Sequence, residues 1–148
     1  SGLKQYAGEE DVMSLDVIKQ MVLDAGMGYL ATCDADQPRV RAMMPILRDD
    51  GTLLAATFPH TKKVGQIAKN PKVEICFVDR KLSHCRIEGK AIISQDMALK
   101  EELWNKQMML RQFFSGSDDP NFVLILIVPT KISMMNAGDR DYAEVKIG

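Results

Sequence analysis

The chain has 148 residues, 46% of them hydrophobic and 26% charged, the make-up of one globular domain with enough apolar material for a real core. Nineteen Lys and Arg against twenty Asp and Glu leave a net charge of −1, so there is no basic field of the kind that holds nucleic acid. The longest clean apolar run, residues 122–128, is far shorter than the ~20 residues a membrane helix needs, and no membrane partner is expected.

The N-terminal stretch SGLKQYAGEED carries no apolar core of a secretory signal. From Ser14 the pattern becomes helical. Leu15, Ile18, Val22 and Ala25 recur at helical spacing, with Ser14 as expected N-cap and Gly26 as the stop. Three strands are predicted next, over 27–33, 39–47 and 52–58. Their connections, Asp34-Ala35-Asp36-Gln37-Pro38 and Arg48-Asp49-Asp50-Gly51, are so short that an antiparallel meander follows. Residues 61–69 return to helical period, capped by Thr61 and ended by Asn70-Pro71, because the residue before proline is pushed out of helical geometry.

Strand character resumes over 72–79 and 84–94, where Gly89 suggests a bulge or a barrel bend. A long helix is expected from Asp96 to Gln112, with Asp96 as cap and Glu102–Lys106 as an i,i+4 pair. Residues 114–121 read as the least ordered loop, 122–128 and 131–136 as two strands around Pro129, and the tail DYAEVKIG is ambiguous. Six or seven short antiparallel strands with a few helices predict an α+β fold, a small β-barrel in a single domain spanning 1–148.

The chemistry concentrates between Arg39 and Pro71. Strand alternation sends Arg39, Arg41 and Met43 to one face and Val40, Ala42 and Met44 to the other. Thr61, Lys62 and Lys63 then open a helix whose N-terminal N–H groups and dipole favour an anion. Arginine, lysines and helix N-terminus together point to a phosphate. Solvated surface charge is the plain alternative.

Metal chemistry is not expected. His60 and His84 lack partners at ligand spacing, and the three cysteines, Cys33, Cys76 and Cys85, have no CxxC spacing. Each cysteine falls among strand-like apolar residues as a free thiol, which fits a reducing, cytoplasmic location. His84 and Cys85 are strand neighbours and point to opposite faces. His60 reads as polar surface beside the phosphate loop. Trp104 and most of the ten methionines read as packing.

The segments RVRAMMPI, LLAATFPHTKKVGQIAKNPKVEICF and RIEGKAIIS resemble the pyridoxamine 5′-phosphate oxidase-like, FMN-binding split-barrel family. That family's run is a Thr, three residues, a Ser or Thr, two basic residues, and a helix ending in Asn-Pro before a strand. Here Thr57, Thr61, Lys62, Lys63, Asn70, Pro71 and Val73 stand in those places, and the likeness extends over residues 15–136. It implies an antiparallel split β-barrel with flanking helices and FMN as cofactor. By position, Arg41, Lys62 and Lys63 would hold the FMN phosphate with Thr61 in support. Ala42, Met43 and Met44 would run beside the flavin ring, with Thr57 approaching from the next strand.

A homodimer with flavin at the subunit interface is implied as well, together with flavin-dependent oxidoreductase activity on a small molecule, with NAD(P)H as donor. The vitamin-making oxidases carry a Glu-Phe-Trp-Gln-Gly-like stretch followed by an Arg-Leu-His-Asp-Arg-like segment. This chain has Ser133-Met134-Met135-Asn136-Ala137-Gly138 instead, with Met135 in place of the tryptophan and no such Arg/His segment. The resemblance is therefore to the short, general-stress-protein-like branch, and not to a true pyridoxamine phosphate oxidase. No side chain stands out as an acid–base catalyst. A non-enzymatic flavin sensor or carrier, or a barrel binding deazaflavin or haem, are the alternatives.

Overall fold

A computed structural model describes residues 14–147. Helix α1 (Leu15–Ala25) buries Val17, Ile18, Met21 and Val22, and Gly26 ends it at a positive φ of 74°. Ser14 takes the N-cap position with extended backbone, but its side chain makes no cap bond. Eight strands follow: β1 (Gly28–Asp34), β2 (Gln37–Met43), β3 (Ile46–Leu47), β4 (Leu53–Thr57), β5 (Lys72–Val78), β6 (His84–Ser94), β7 (Val123–Met135) and β8 (Ala143–Val145). Helix α2 (Lys62–Lys69) lies between β4 and β5, and α3 (Met97–Lys106) between β6 and β7.

The strands form one sheet in the order β2-β1-β5-β6-β7-β4-β3, with β8 added alongside β7, and the named pairings are antiparallel. Strands β2 and β3 stand at opposite ends of that order, yet Met44 and Pro45 alone separate them in the chain. The sheet must therefore curl round until its ends meet, which makes it a barrel. This is the split barrel expected from the sequence.

Three expectations need correction, and two loosely read stretches gain definition. Residues 39–47 are not one strand; Pro45 has no N–H for the ladder, and the chain bends there into β2 and β3. The two strands placed around Pro129 are one, β7. It absorbs the proline by a register shift: Glu88 pairs with Lys131 and Gly89 with Pro129, leaving Thr130 as the extra residue. A Cβ on Gly89 would lie 2.6 Å from the Val128 carbonyl oxygen, so the close approach at this bulge requires glycine.

The helix expected over 96–112 breaks at Gln107, whose extended backbone separates α3 from a 3-10 turn, Met108–Gln112. The loop at 114–121 is organised by Asp119, whose carboxylate accepts from the backbone of Ser115 and Asn121. Finally, the ambiguous tail forms β8, and Val145 is buried beside β7.

Two apolar clusters hold the molecule together. The larger fills the barrel under α1 and includes Leu30, Ile75, Phe77, Ile87, Ile125 and Ile132. The smaller joins Leu54, Leu103, Leu110, Phe114, Phe122 and Leu124, with Trp104 packed against it. Trp104 is thus a packing residue, 6.3 Å from the Phe122 ring centroid. Asp96 caps α3 as expected, accepting from the Leu99 amide at 3.0 Å. Among the described residues no helix is long and apolar enough to cross a membrane.

Candidate functional site

The two faces of β2 are not disposed as amphipathicity alone suggests. Arg39, Arg41 and Met43 pair with Thr32, Leu30 and Gly28 of β1 and share the inward face with the buried Leu30 and Thr32. The apolar residues Val40, Ala42 and Met44 turn outward, and Val40 is 69% exposed. Gln66 of α2 meets the arginine-bearing face at Arg41, while the apolar face is open.

Arg39 and Arg41 then part company. Exposed Arg39 faces Asp34, 3.4 Å away. Arg41 is half-buried, and every acceptor it meets among the described residues is neutral. Nη1 donates to the Leu30 carbonyl at 3.0 Å and to Thr32 Oγ1 at 2.8 Å, and Nη2 donates to Gln66 Oε1 at 3.0 Å. Burial without a compensating charge pushes the Arg41 pKa down. Lys63 on the first turn of α2 is also lowered, first by burial and then by the positive charge of Arg41. Two cations share one field, and among the described residues neither has a carboxylate partner within salt-bridge distance.

Thr61 occupies the N-cap of α2 with φ −73° and ψ 153°, but its side chain does not cap the helix. Its hydroxyl donates to the Phe58 carbonyl at 3.1 Å and lies 3.3 Å from Thr57 Oγ1. The expected capping role is therefore replaced by a hydroxyl pair beside the helix N-terminus.

Lys63 opens into a groove of about 370 Å³. Ala42, Met43 and Met44 form one wall, Ala55, Ala56, Thr57 and Phe58 another, and Gln107, Met109, Leu110, Phe113 and Phe114 a third. Among the described residues, Lys63 is the one charged side chain in that lining. Five of the residues singled out in the sequence, Ala42, Met43, Met44, Thr57 and Lys63, meet here. Gln107 fixes the bend in the first wall by donating from Nε2 to the Met44 carbonyl at 2.7 Å.

Lys62 is different. It lines a separate pocket with Lys69, Gln66, Asn70 and the Cys33–Ala35 segment, so the adjacent lysines open into two different pockets.

Sequence reading missed Thr32 and Gln66, the two side chains that hold Arg41. A polar residue on the inward alternation of β1 is the signal that would have found Thr32. The wall from Met109 to Phe114 was missed because a 3-10 turn leaves no long apolar period.

Elsewhere the cysteines remain free, with Cys85 fully buried and its thiol pushed up to about 12 by burial. His60 is exposed. His84 Nε2 is 2.6 Å from the Tyr142 hydroxyl, which docks the tail. Met135 is half-buried at the end of β7, opposite His84. No cluster of potential metal ligands occurs among the described residues.

Comparison with known proteins fits this architecture. Residues 15–136 match the model of the pyridoxamine 5′-phosphate oxidase family. General stress protein 26 of Bacillus subtilis (strain 168) is 34% identical over 139 residues, covering 86% of this chain and 95% of that protein. The crystal structure of General Stress Protein 26 from Bacillus anthracis str. Sterne is 30% identical with a TM-score of 0.69, over 86% of this chain and 98% of that one. Two more distant structures share the fold alone. A pyridoxamine 5′-phosphate oxidase-related, FMN binding protein from Nostoc punctiforme is 18% identical (TM-score 0.67, 85% and 82% of the two chains), and a heme binding protein from Mycobacterium smegmatis 12% (TM-score 0.69, 85% and 55%). With the family model spanning most of its length and a relative above 30% identity, this chain belongs to the pyridoxamine 5′-phosphate oxidase family.

Proposed function

We propose that the groove binds FMN, with the flavin ring along Ala42, Met43 and Met44 and the phosphate at Arg41, Lys63 and the N-terminus of α2. The observation that carries this reading is Lys63, a cation lining an apolar groove, together with the charge of Arg41 that acts on it from outside that lining, neither of them answered by a carboxylate among the described residues. Burying positive charge without a counterion is costly unless a ligand supplies the negative charge. A phosphate does so, and the apolar walls suit a flat ring. Thr61 and Thr57 add hydroxyls beside the helix N-terminus, and Lys62 contributes from the neighbouring pocket.

The open outer face of β1 and β2, with Tyr29, Val40 and Met44 all exposed, supports a homodimer that covers it, as flavin at a subunit interface requires. FMN supplies two-electron redox chemistry, with NAD(P)H as donor and a small molecule as acceptor; the chain binds, orients and shields it. Among the described residues the groove lining holds no carboxylate or histidine, so the part these residues play is positioning. Neither histidine lines the groove, which sets FMN ahead of haem as ligand.

The test is the visible spectrum after FMN is added and the protein desalted. Retained bands near roughly 370 and 450 nm are expected, and a colourless protein overturns the cofactor. Steady NAD(P)H consumption by the yellow protein with an added acceptor supports the oxidoreductase. Bound flavin without turnover makes it a carrier or sensor.

A further inference from the structure

We propose that Gln66 is the positioning residue of the phosphate site, and that the electrical neutrality of its side chain keeps the charge of Arg41 available to the ligand. This rests on the phosphate reading given above and goes beyond it, since Gln66 lies outside the residues that the family likeness assigns.

The argument starts from donor and acceptor types. A guanidinium has donors only, so the Gln66 amide must meet Arg41 with its oxygen. That same Oε1 also accepts from the Thr32 hydroxyl at 2.7 Å, while Thr32 Oγ1 accepts from Arg41 Nη1. Arg41, Thr32 and Gln66 therefore form a closed triangle tying β2, β1 and α2 together, and Thr32 is almost wholly buried. The triangle and the Leu30 carbonyl engage three of the five guanidinium hydrogens. Nε–H and the second Nη2 hydrogen have no protein acceptor among the described residues. The guanidinium is thus fixed in place with two donors and its whole charge unspent.

A glutamate at position 66 would keep the shape and the acceptor and neutralise the cation. Salt-bridged arginine attracts phosphate far less, because the carboxylate already satisfies the field that the ligand would fill. A structural role and a charge-sparing role for Gln66 then predict opposite results for one isosteric change.

The experiment measures FMN and riboflavin affinities of wild type, Gln66→Glu and Gln66→Ala by calorimetry, with a thermal midpoint for each. Riboflavin lacks the phosphate, so the ratio of the two affinities reports the phosphate site alone. The expected result for Gln66→Glu is an unchanged or higher thermal midpoint, unchanged riboflavin binding, and a loss of FMN preference of about ten- to hundredfold. Gln66→Ala should lose less, since Arg41 keeps its charge and loses a tether. Full FMN preference in Gln66→Glu overturns the proposal, as does an alanine variant that loses as much as the glutamate. A wild type that does not prefer FMN to riboflavin overturns the phosphate reading itself, and this proposal with it.

Discussion

Arg41 and Arg48 stand seven residues apart on one bent run of chain, and they differ in what they face. Arg48 meets Glu102 with two donors, Nε to Oε2 at 2.9 Å and Nη2 to Oε1 at 3.1 Å, and Asp50 Oδ2 at 2.8 Å from Nη1. Its pKa is raised, first by the hydrogen bond to Glu102. Arg41 faces a carbonyl, a hydroxyl and an amide, and its pKa is lowered by burial. The first arginine is a strut that fastens the β3–β4 turn to α3, with all its charge compensated inside the chain. The second is held just as firmly, with none compensated. The charge state of the partners, more than exposure or position on the strand, separates an arginine that builds the fold from one that is open to a ligand.

The largest expected effect that breaks this contrast is on ligand affinity. Arg41→Ala should weaken FMN by on the order of 1.5–3 kcal/mol, the range for a hydrogen bond to a charged group. Thermal unfolding should move little, because Thr32 and Gln66 retain each other. Arg48→Ala should do the reverse, costing about 1 kcal/mol of stability and leaving FMN affinity alone. Calorimetric titration and denaturation of both variants check this, and a variant that lost both properties equally would erase the distinction.

A smaller effect sharpens it through pH. Glu102 is held below its ordinary value of 4.5 by the hydrogen bond from Arg48, against some burial. Asp50 lies below its ordinary 3.8, chiefly through the Thr52 hydroxyl. A depressed carboxylate contributes stability that is fully present above its unfolded pKa and fades as pH falls through the folded one. The stability gap between wild type and Arg48→Ala should therefore be constant above pH 4.5 and close below it. The gap between wild type and Arg41→Ala should stay flat over the same range, since among the described residues no carboxylate answers Arg41. Urea unfolding from pH 7 to pH 3 measures both.

The same distinction explains what was legible in the sequence. The barrel was, because alternation and short turns leave little freedom: residues 72–79 and 84–94 appear almost unchanged as β5 and β6. The motif from Thr57 to Pro71 placed α2 and the lysine pair of its first turn correctly. Strand alternation put Arg39, Arg41 and Met43 on one face, and they are. It did not say that this face looks inward, because that depends on α2 packing against β1 and β6, a tertiary fact. Nor did it show that Lys62 and Lys63 open into different pockets, or that Arg39 is answered by Asp34 while Arg41 is not. Pro45 and Pro129 were read in opposite senses from their outcomes. Proline breaks a strand where it meets a ladder position, as at Pro45, and is carried through where a bulge leaves its nitrogen unneeded, as at Pro129. Register decides between these, and register is not local.

The smallest effect lies on the alkaline side. Lys63 is lowered from 10.5, first by burial and second by Arg41. As pH rises toward that lowered value the ammonium is lost, and one of the two charges facing the phosphate goes with it. FMN affinity should therefore begin to fall at a pH below that of an ordinary lysine. Lys63→Ala should lack this decline, and subtracting its curve removes whatever the ligand's own titration contributes. In Arg41→Ala the second cause of the shift is gone, so the Lys63-dependent decline should move to higher pH, although burial still holds it below 10.5. Affinities measured from pH 7 to 10.5 for these variants decide the matter. Identical declines in wild type and Arg41→Ala would mean that the two cations do not share a field. The pair would then be two separate surface charges, and the contrast with Arg48 would rest on Arg41 alone.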